Sequence, residues 1–84
     1  MELSVEISMY PLESDYIPPI RDFIDRLNQH PSLRVLTNTM STQVFGPYQE
    51  VMAVLAREME ISHREGKAAF VCKFLGGDLG PRDD

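Results

Sequence analysis

The chain predicts an α+β architecture in which two helices cover one face of a four-stranded antiparallel sheet. Three observations carry this expectation. A strict two-residue alternation opens the chain, two later stretches repeat their apolar residues at helical spacing, and a strand–strand junction of almost no length lies between them.

Leu3, Val5, Ile7 and Met9 alternate with Ser4, Glu6, Ser8 and Tyr10, the pattern of a half-buried strand that Pro11 ends. Glu13, Ser14 and Asp15 form a polar connection. Ile17, Ile20, Phe23, Ile24 and Leu27 then recur at helical spacing, with Pro18 and Pro19 in the first turn and Pro31 beyond the end, so a helix is expected over 18–29. Leu33, Val35 and Leu36 begin a second strand that runs into the polar patch Thr37–Thr39. Thr42, Val44 and Phe45 carry a third to Gly46, paired with the second as a hairpin in which Asn38 is a candidate for positive φ.

Pro47 is expected at the N1 position of the second helix and Gly66 at its C-terminal stop. Val51, Met52, Leu55 and Met59 would form its apolar stripe, and Glu50, Arg57, Glu58, Glu60, Arg64 and Glu65 a mostly solvated face. Residues 68–75, with Phe70, Val71, Cys72 and Phe74, read as a strand buried on both faces. The order strand, helix, strand, strand, helix, strand is that of the ferredoxin-like, split βαβ unit. The domain is expected over 1–76, followed by a flexible acidic tail over 77–84.

Composition narrows the function. Eighty-four residues make one domain near the small end of what a single core supports, so association between chains is a plausible source of stability. Eight basic against thirteen acidic residues give a net charge of −5, which opposes nucleic-acid binding. The start of the chain lacks the basic and apolar regions of a signal peptide, and no apolar run is long enough to span a membrane. A cytoplasmic location is therefore expected, and the single Cys72 is compatible with it.

The most informative stretch is Thr37–Gly46, where small hydrogen-bonding side chains crowd before a short apolar run. Such residues build turns, and they also serve as donors and acceptors for a small polar ligand; both readings stand at this point. Asn38, Ser41 and Thr42 are candidate ligand contacts jointly. On the first strand Glu6 is set to accept from an aminopyrimidine or balance a cation. Ser8 and Tyr10 share its open face, and Tyr10 or Phe45 would offer a stacking surface. The bland readings are a solvated strand carboxylate and a boundary tyrosine.

His30 and His63 lack partners at zinc-ligand spacing, so no metal and no cofactor are expected. Cys72, inside an apolar strand, reads as a small hydrophobe. The Gly76-Gly77 pair opens no helix and is not a phosphate loop. The aromatic basic motif of RNA-recognition domains and the phosphate-cradling Arg of acylphosphatases, which share this topology, are both missing. No catalytic acid–base set stands out, and the chain is expected not to be an enzyme.

Two segments, Val5-Glu6-Ile7-Ser8-Met9-Tyr10-Pro11-Leu12 and Thr39-Met40-Ser41-Thr42-Gln43-Val44-Phe45-Gly46, resemble the YkoF-related family of thiamine/hydroxymethylpyrimidine-binding domains, and the resemblance covers about residues 2–75. It implies a ferredoxin-like fold, no catalytic activity, and binding of thiamine or its hydroxymethylpyrimidine moiety. Glu6, Ser8 and Tyr10 fall on the first-strand motif and Ser41, Thr42 and Gly46 on the third-strand motif. With one repeat per chain, the resemblance also implies a homodimer or larger homo-oligomer. The expected role is a carrier, buffer or sensor. The alternative is a structural or regulatory oligomerisation domain that binds a protein through its open sheet face, and a weaker third reading is a small enzyme acting on a different heteroaromatic compound.

Overall fold

In a computed structural model that describes residues 1–81, the six elements follow in the expected order. They are β1 (Glu2–Pro11), α1 (Ile17–Leu27), β2 (Arg34–Thr37), β3 (Thr42–Pro47), α2 (Tyr48–Glu65) and β4 (Ala68–Gly76). The sheet is ordered β2-β3-β1-β4 with every neighbouring pair antiparallel. Two helices on one face of this sheet make a ferredoxin-like fold.

The alternation of β1 sets the layers. Leu3, Val5 and Ile7 are each 2% exposed and face the helices. They sit opposite Gly46, Val44 and Thr42 of β3, which places those residues on the same inner face. Phe23 and Leu27 of α1, Val51 and Leu55 of α2, and Leu33 complete one core. Gly46 is needed for this packing, because a Cβ there would come within 2.7 Å of Leu33 Cδ2. Burying these side chains supplies the main driving force for folding, at about 25 cal/mol per Å2 of apolar surface.

Several local expectations change. Pro47 is the last residue of β3 and the N-cap of α2, with extended ψ of 138°, so the helix begins one residue later. Met52 is 38% exposed and lies outside the apolar stripe. Glu58 is only 4% exposed, because Arg26 and His30 reach it from the α1 side. β4 is an edge strand rather than one buried on both faces: Val71, Phe74 and Leu75 are about half exposed, at 56%, 51% and 48%. Asn38 does not take a positive φ; among the described residues the sole positive φ belongs to Gly77, at 134°.

That φ lets the chain leave β4 and fold back over the open face of the sheet. Ser4 Oγ donates to Gly77 O at 2.7 Å and accepts from Leu79 N at 2.9 Å. Arg34 binds Asp78 Oδ1 at 3.0 Å and stacks 5.5 Å from the Phe45 ring, which is 5% exposed beneath it. Residues 82–84 of the expected tail lie outside the described residues. Among the described residues no helix is long and apolar enough to cross a membrane.

Candidate functional site

A cavity of about 360 Å3 opens between the first two turns of α1 and the β2–β3 hairpin. Its apolar wall comes from Ile7 and Met9 of β1 and from Ile20, Phe23 and Ile24 of α1. The spacing of Ile20, Phe23 and Ile24 turns them to one side of the helix. Polar groups ring the other side: Ser8 and Tyr10 from β1, and Thr37, Asn38, Ser41 and Thr42 from the hairpin. An apolar wall with a few convergent polar groups is the common form of a small-molecule site, and this volume lies near the small end of the roughly 300–1,000 Å3 range.

The hairpin explains how those polar groups are held. Asn38 Oδ1 accepts from Met40 N at 2.8 Å and Ser41 N at 2.9 Å, while Asn38 N donates to Ser41 O at 3.0 Å. The carboxamide oxygen therefore builds the turn. Its Nδ2 has no hydrogen-bond partner among the described residues and remains available as a donor. Thr42 is 5% exposed on the inner sheet face, with its Oγ1 3.3 Å from that of Thr37. Ser8 Oγ makes only a long contact with Met40 O, at 3.5 Å.

Five of the six expected contacts, Ser8, Tyr10, Asn38, Ser41 and Thr42, line this one cavity. Glu6 does not. It lies on the open face, where Oε1 is 3.7 Å from Lys73 Nζ and Oε2 accepts from Ser41 Oγ at 3.0 Å. Its connection to the cavity thus runs through Ser41. Phe45 is also absent from the lining, since its ring packs under Arg34. Conversely, Tyr16, Ile20, Phe23, Ile24 and Met40 line the cavity without having been singled out. The 20, 23, 24 spacing was visible, but a stripe at helical period reads first as core.

A second concavity of about 260 Å3 lies where the β1–α1 connection meets the α2–β4 turn. It is lined by Pro11, Pro18, Pro19, Lys67 and the carboxylates Glu13, Asp15, Asp22 and Glu65, and it contains none of the expected contacts. Its lining is strongly charged, four carboxylates against the Lys67 ammonium, whereas the rim of the hairpin cavity is uncharged.

The other polar cluster is closed. Between the helices, Arg26 donates from Nε to Glu58 Oε1 at 2.9 Å and from Nη2 to Ser62 Oγ and to Glu58 O. His30 Nε2 lies 2.8 Å from Glu58 Oε2. Burial pushes the Glu58 carboxyl upward, but the hydrogen bonds from His30 and Arg26 outweigh it and hold the group below its ordinary value near 4.5. Burial alone raises the thiol of Cys72 above its ordinary value.

The fold has solved counterparts at low sequence identity. Protein SP2199 from Streptococcus pneumoniae superposes with a TM-score of 0.85 at 21% identity, covering 94% of this chain and 90% of its own. A Thermotoga maritima protein, TM0486, provisionally named for thiamine biosynthesis/salvage, gives 0.80 at 14% identity over 88% of this chain and 82% of its own. A domain of unknown function, DUF77, from Bacillus cereus gives 0.71 at 14% identity over 99% and 83%. At these identities the likeness establishes the fold. No protein-family model matches the chain, and no curated protein does.

Proposed function

We propose that this chain is a non-catalytic binding protein for thiamine or its hydroxymethylpyrimidine moiety, acting as a carrier, buffer or sensor in the cytoplasm. The observation that carries the reading is the hairpin cavity, in which Asn38, Ser41, Thr42, Ser8 and Tyr10 converge opposite an apolar wall. The thiamine-related name of a structural neighbour supports the same ligand class.

An aminopyrimidine presents a donor amine and acceptor ring nitrogens. Asn38 Nδ2 would donate to a ring nitrogen, the Ser41 hydroxyl, its proton given to Glu6, would accept from the amine, and the Ser8 hydroxyl can take either role. Glu6 holds the Ser41 hydroxyl from behind through the 3.0 Å bond. Each neutral hydrogen bond contributes about 1 kcal/mol net, so micromolar affinity requires ring burial against Ile20, Phe23 and Ile24 as well. Chemical-shift mapping with hydroxymethylpyrimidine and thiamine tests the placement. Saturable shifts should centre on Ser8, Tyr10 and 38–42. Shifts confined to the β1–α1 and α2–β4 connections would place the ligand elsewhere.

A second reading is an assembly domain that binds a protein partner through the open sheet face. It is favoured by Leu36 and Tyr10, which are 42% and 54% exposed on that face. Replacing Thr42 by Val separates the two. The ligand-binding reading expects lost affinity with unchanged molecular size.

A further inference from the structure

β1 outruns its partner on one side. It pairs with β4 from Leu3 to Pro11, but with β3 only as far as Ile7, which stands opposite Thr42. In an antiparallel ladder the N–H and C=O of one residue point the same way, and successive residues alternate between the two neighbouring strands. Bonds at the ends of the ladders fix which residues turn where. Gly77 N donates to Glu2 O and Leu12 N to Lys67 O, both at 2.9 Å, so even-numbered positions turn to β4. Tyr48 N donates to Met1 O at 2.9 Å, so odd-numbered positions turn to β3.

Met9 is the first odd-numbered residue beyond the end of the β3 pairing. Continuing the register would set Met40 opposite it, but Met40 N is turned into the hairpin and donates to Asn38 Oδ1 at 2.8 Å. Neither the N–H nor the C=O of Met9 has a hydrogen-bond partner among the described residues. Met9 is partly buried and lines the hairpin cavity. A donor and an acceptor thus lie side by side on one strand edge, where backbone groups are normally paired. Pro11, the next residue turned that way, has no N–H, so the complete donor–acceptor edge is one residue long. An extended peptide needs a run of ladder bonds and finds none here. A small planar ligand with one acceptor beside one donor fits.

We propose that the Met9 backbone is the recognition edge of this cavity. Its N–H donates to a ring nitrogen and its C=O accepts from an amine on the adjacent ring carbon. This rests on the ligand reading above and narrows the ligand class to heteroaromatic rings with such an amidine edge. In an aminopyrimidine the second ring nitrogen is then left to Asn38 and the second amine hydrogen to Ser41. The Met9 side chain turns to the core, so the backbone reads the ligand without it. A 4-oxo analogue reverses the order, with N–H beside a carbonyl, and sets donor against donor and acceptor against acceptor.

Amide hydrogen exchange and titration of the full, 15N-labelled chain by NMR test this. Without ligand, Val5 and Ile7 should be protected by their bonds to β3, and Met9 should exchange about a hundredfold faster than Ile7. Saturating hydroxymethylpyrimidine should slow Met9 about tenfold or more and move its amide proton downfield, with Ile7 unchanged. The 4-oxo analogue of hydroxymethylpyrimidine should bind about tenfold or more weakly.

A Met9 amide already protected in the free protein would overturn the proposal. Saturable shifts at 38–42 with Met9 still exchanging fast would also overturn it, while leaving the ligand reading intact. Equal affinity for the 4-oxo analogue would have the same meaning. Absence of shifts with both thiamine and hydroxymethylpyrimidine would remove the ligand reading, and this inference with it.

Discussion

The two halves of α1 face polar groups of opposite character. Around its C-terminal half, Arg26, His30, Glu58 and Ser62 satisfy one another across the helix–helix contact. Around its N-terminal half, Asn38 Oδ1 holds the hairpin turn beside a cavity while Asn38 Nδ2 has no hydrogen-bond partner among the described residues. Satisfied buried polar groups hold a fold together; positioned but unsatisfied ones are what a ligand can use. The same helix therefore has a structural end and a binding end.

The largest expected effect comes from opening the closed end. Glu58→Ala leaves Arg26 without its partner and should cost about 3 kcal/mol in urea unfolding, because breaking a buried pair strands a charge. At a temperature where the variant remains folded, its affinity for ligand should be unchanged. The acid dependence follows from the same group. A carboxyl with a lowered folded pKa contributes stability that is complete above its unfolded value, near 4.5, and is lost as pH falls through the folded value. Unfolding curves of wild type and Glu58→Gln should accordingly converge in acid and separate toward neutrality. Curves that run parallel across that range would show that Glu58 does not hold the helices together.

Blocking the open end comes next. Ile20→Trp fills the cavity from a partly buried helix position and should weaken ligand binding about thirtyfold, near 2 kcal/mol, with a much smaller change in stability. Asn38→Ala removes both the turn acceptor and the free donor, so it should cost about 1 kcal/mol in stability and several-fold in affinity. Glu6→Gln should have the smallest effect, about two- to threefold in titration, because it acts only by orienting Ser41. A Glu6→Gln loss as large as that of Ile20→Trp would mean that Glu6 touches the ligand itself.

The fold was legible because its signals are local. The β1 alternation, the prolines before α1 and the short β2–β3 junction each mark one element, and six marked elements leave few ways to connect. What was not legible depends on which elements become neighbours. Glu58 belongs by period to a charged helix face, and only the approach of Arg26 and His30 from the α1 side buries it. The apolar run of β4 suits a central strand or an edge equally well, since neighbours are not written in a single strand. The polar stretch 37–42 proved to be turn chemistry at Asn38 Oδ1 and a cavity rim at the same residues, so the two sequence readings describe one piece of structure. Glu6 and Phe45 were grouped with the candidate site by the strand and motif they share. Orientation removes both from the lining.

The most direct test of the open end is isothermal titration of the wild type and Ile20→Trp with thiamine and hydroxymethylpyrimidine. Saturable micromolar binding with one site per chain is expected for at least one of the two compounds, together with its loss in the variant. Absence of heat at millimolar ligand, or equal binding by the cavity-filled variant, would contradict it.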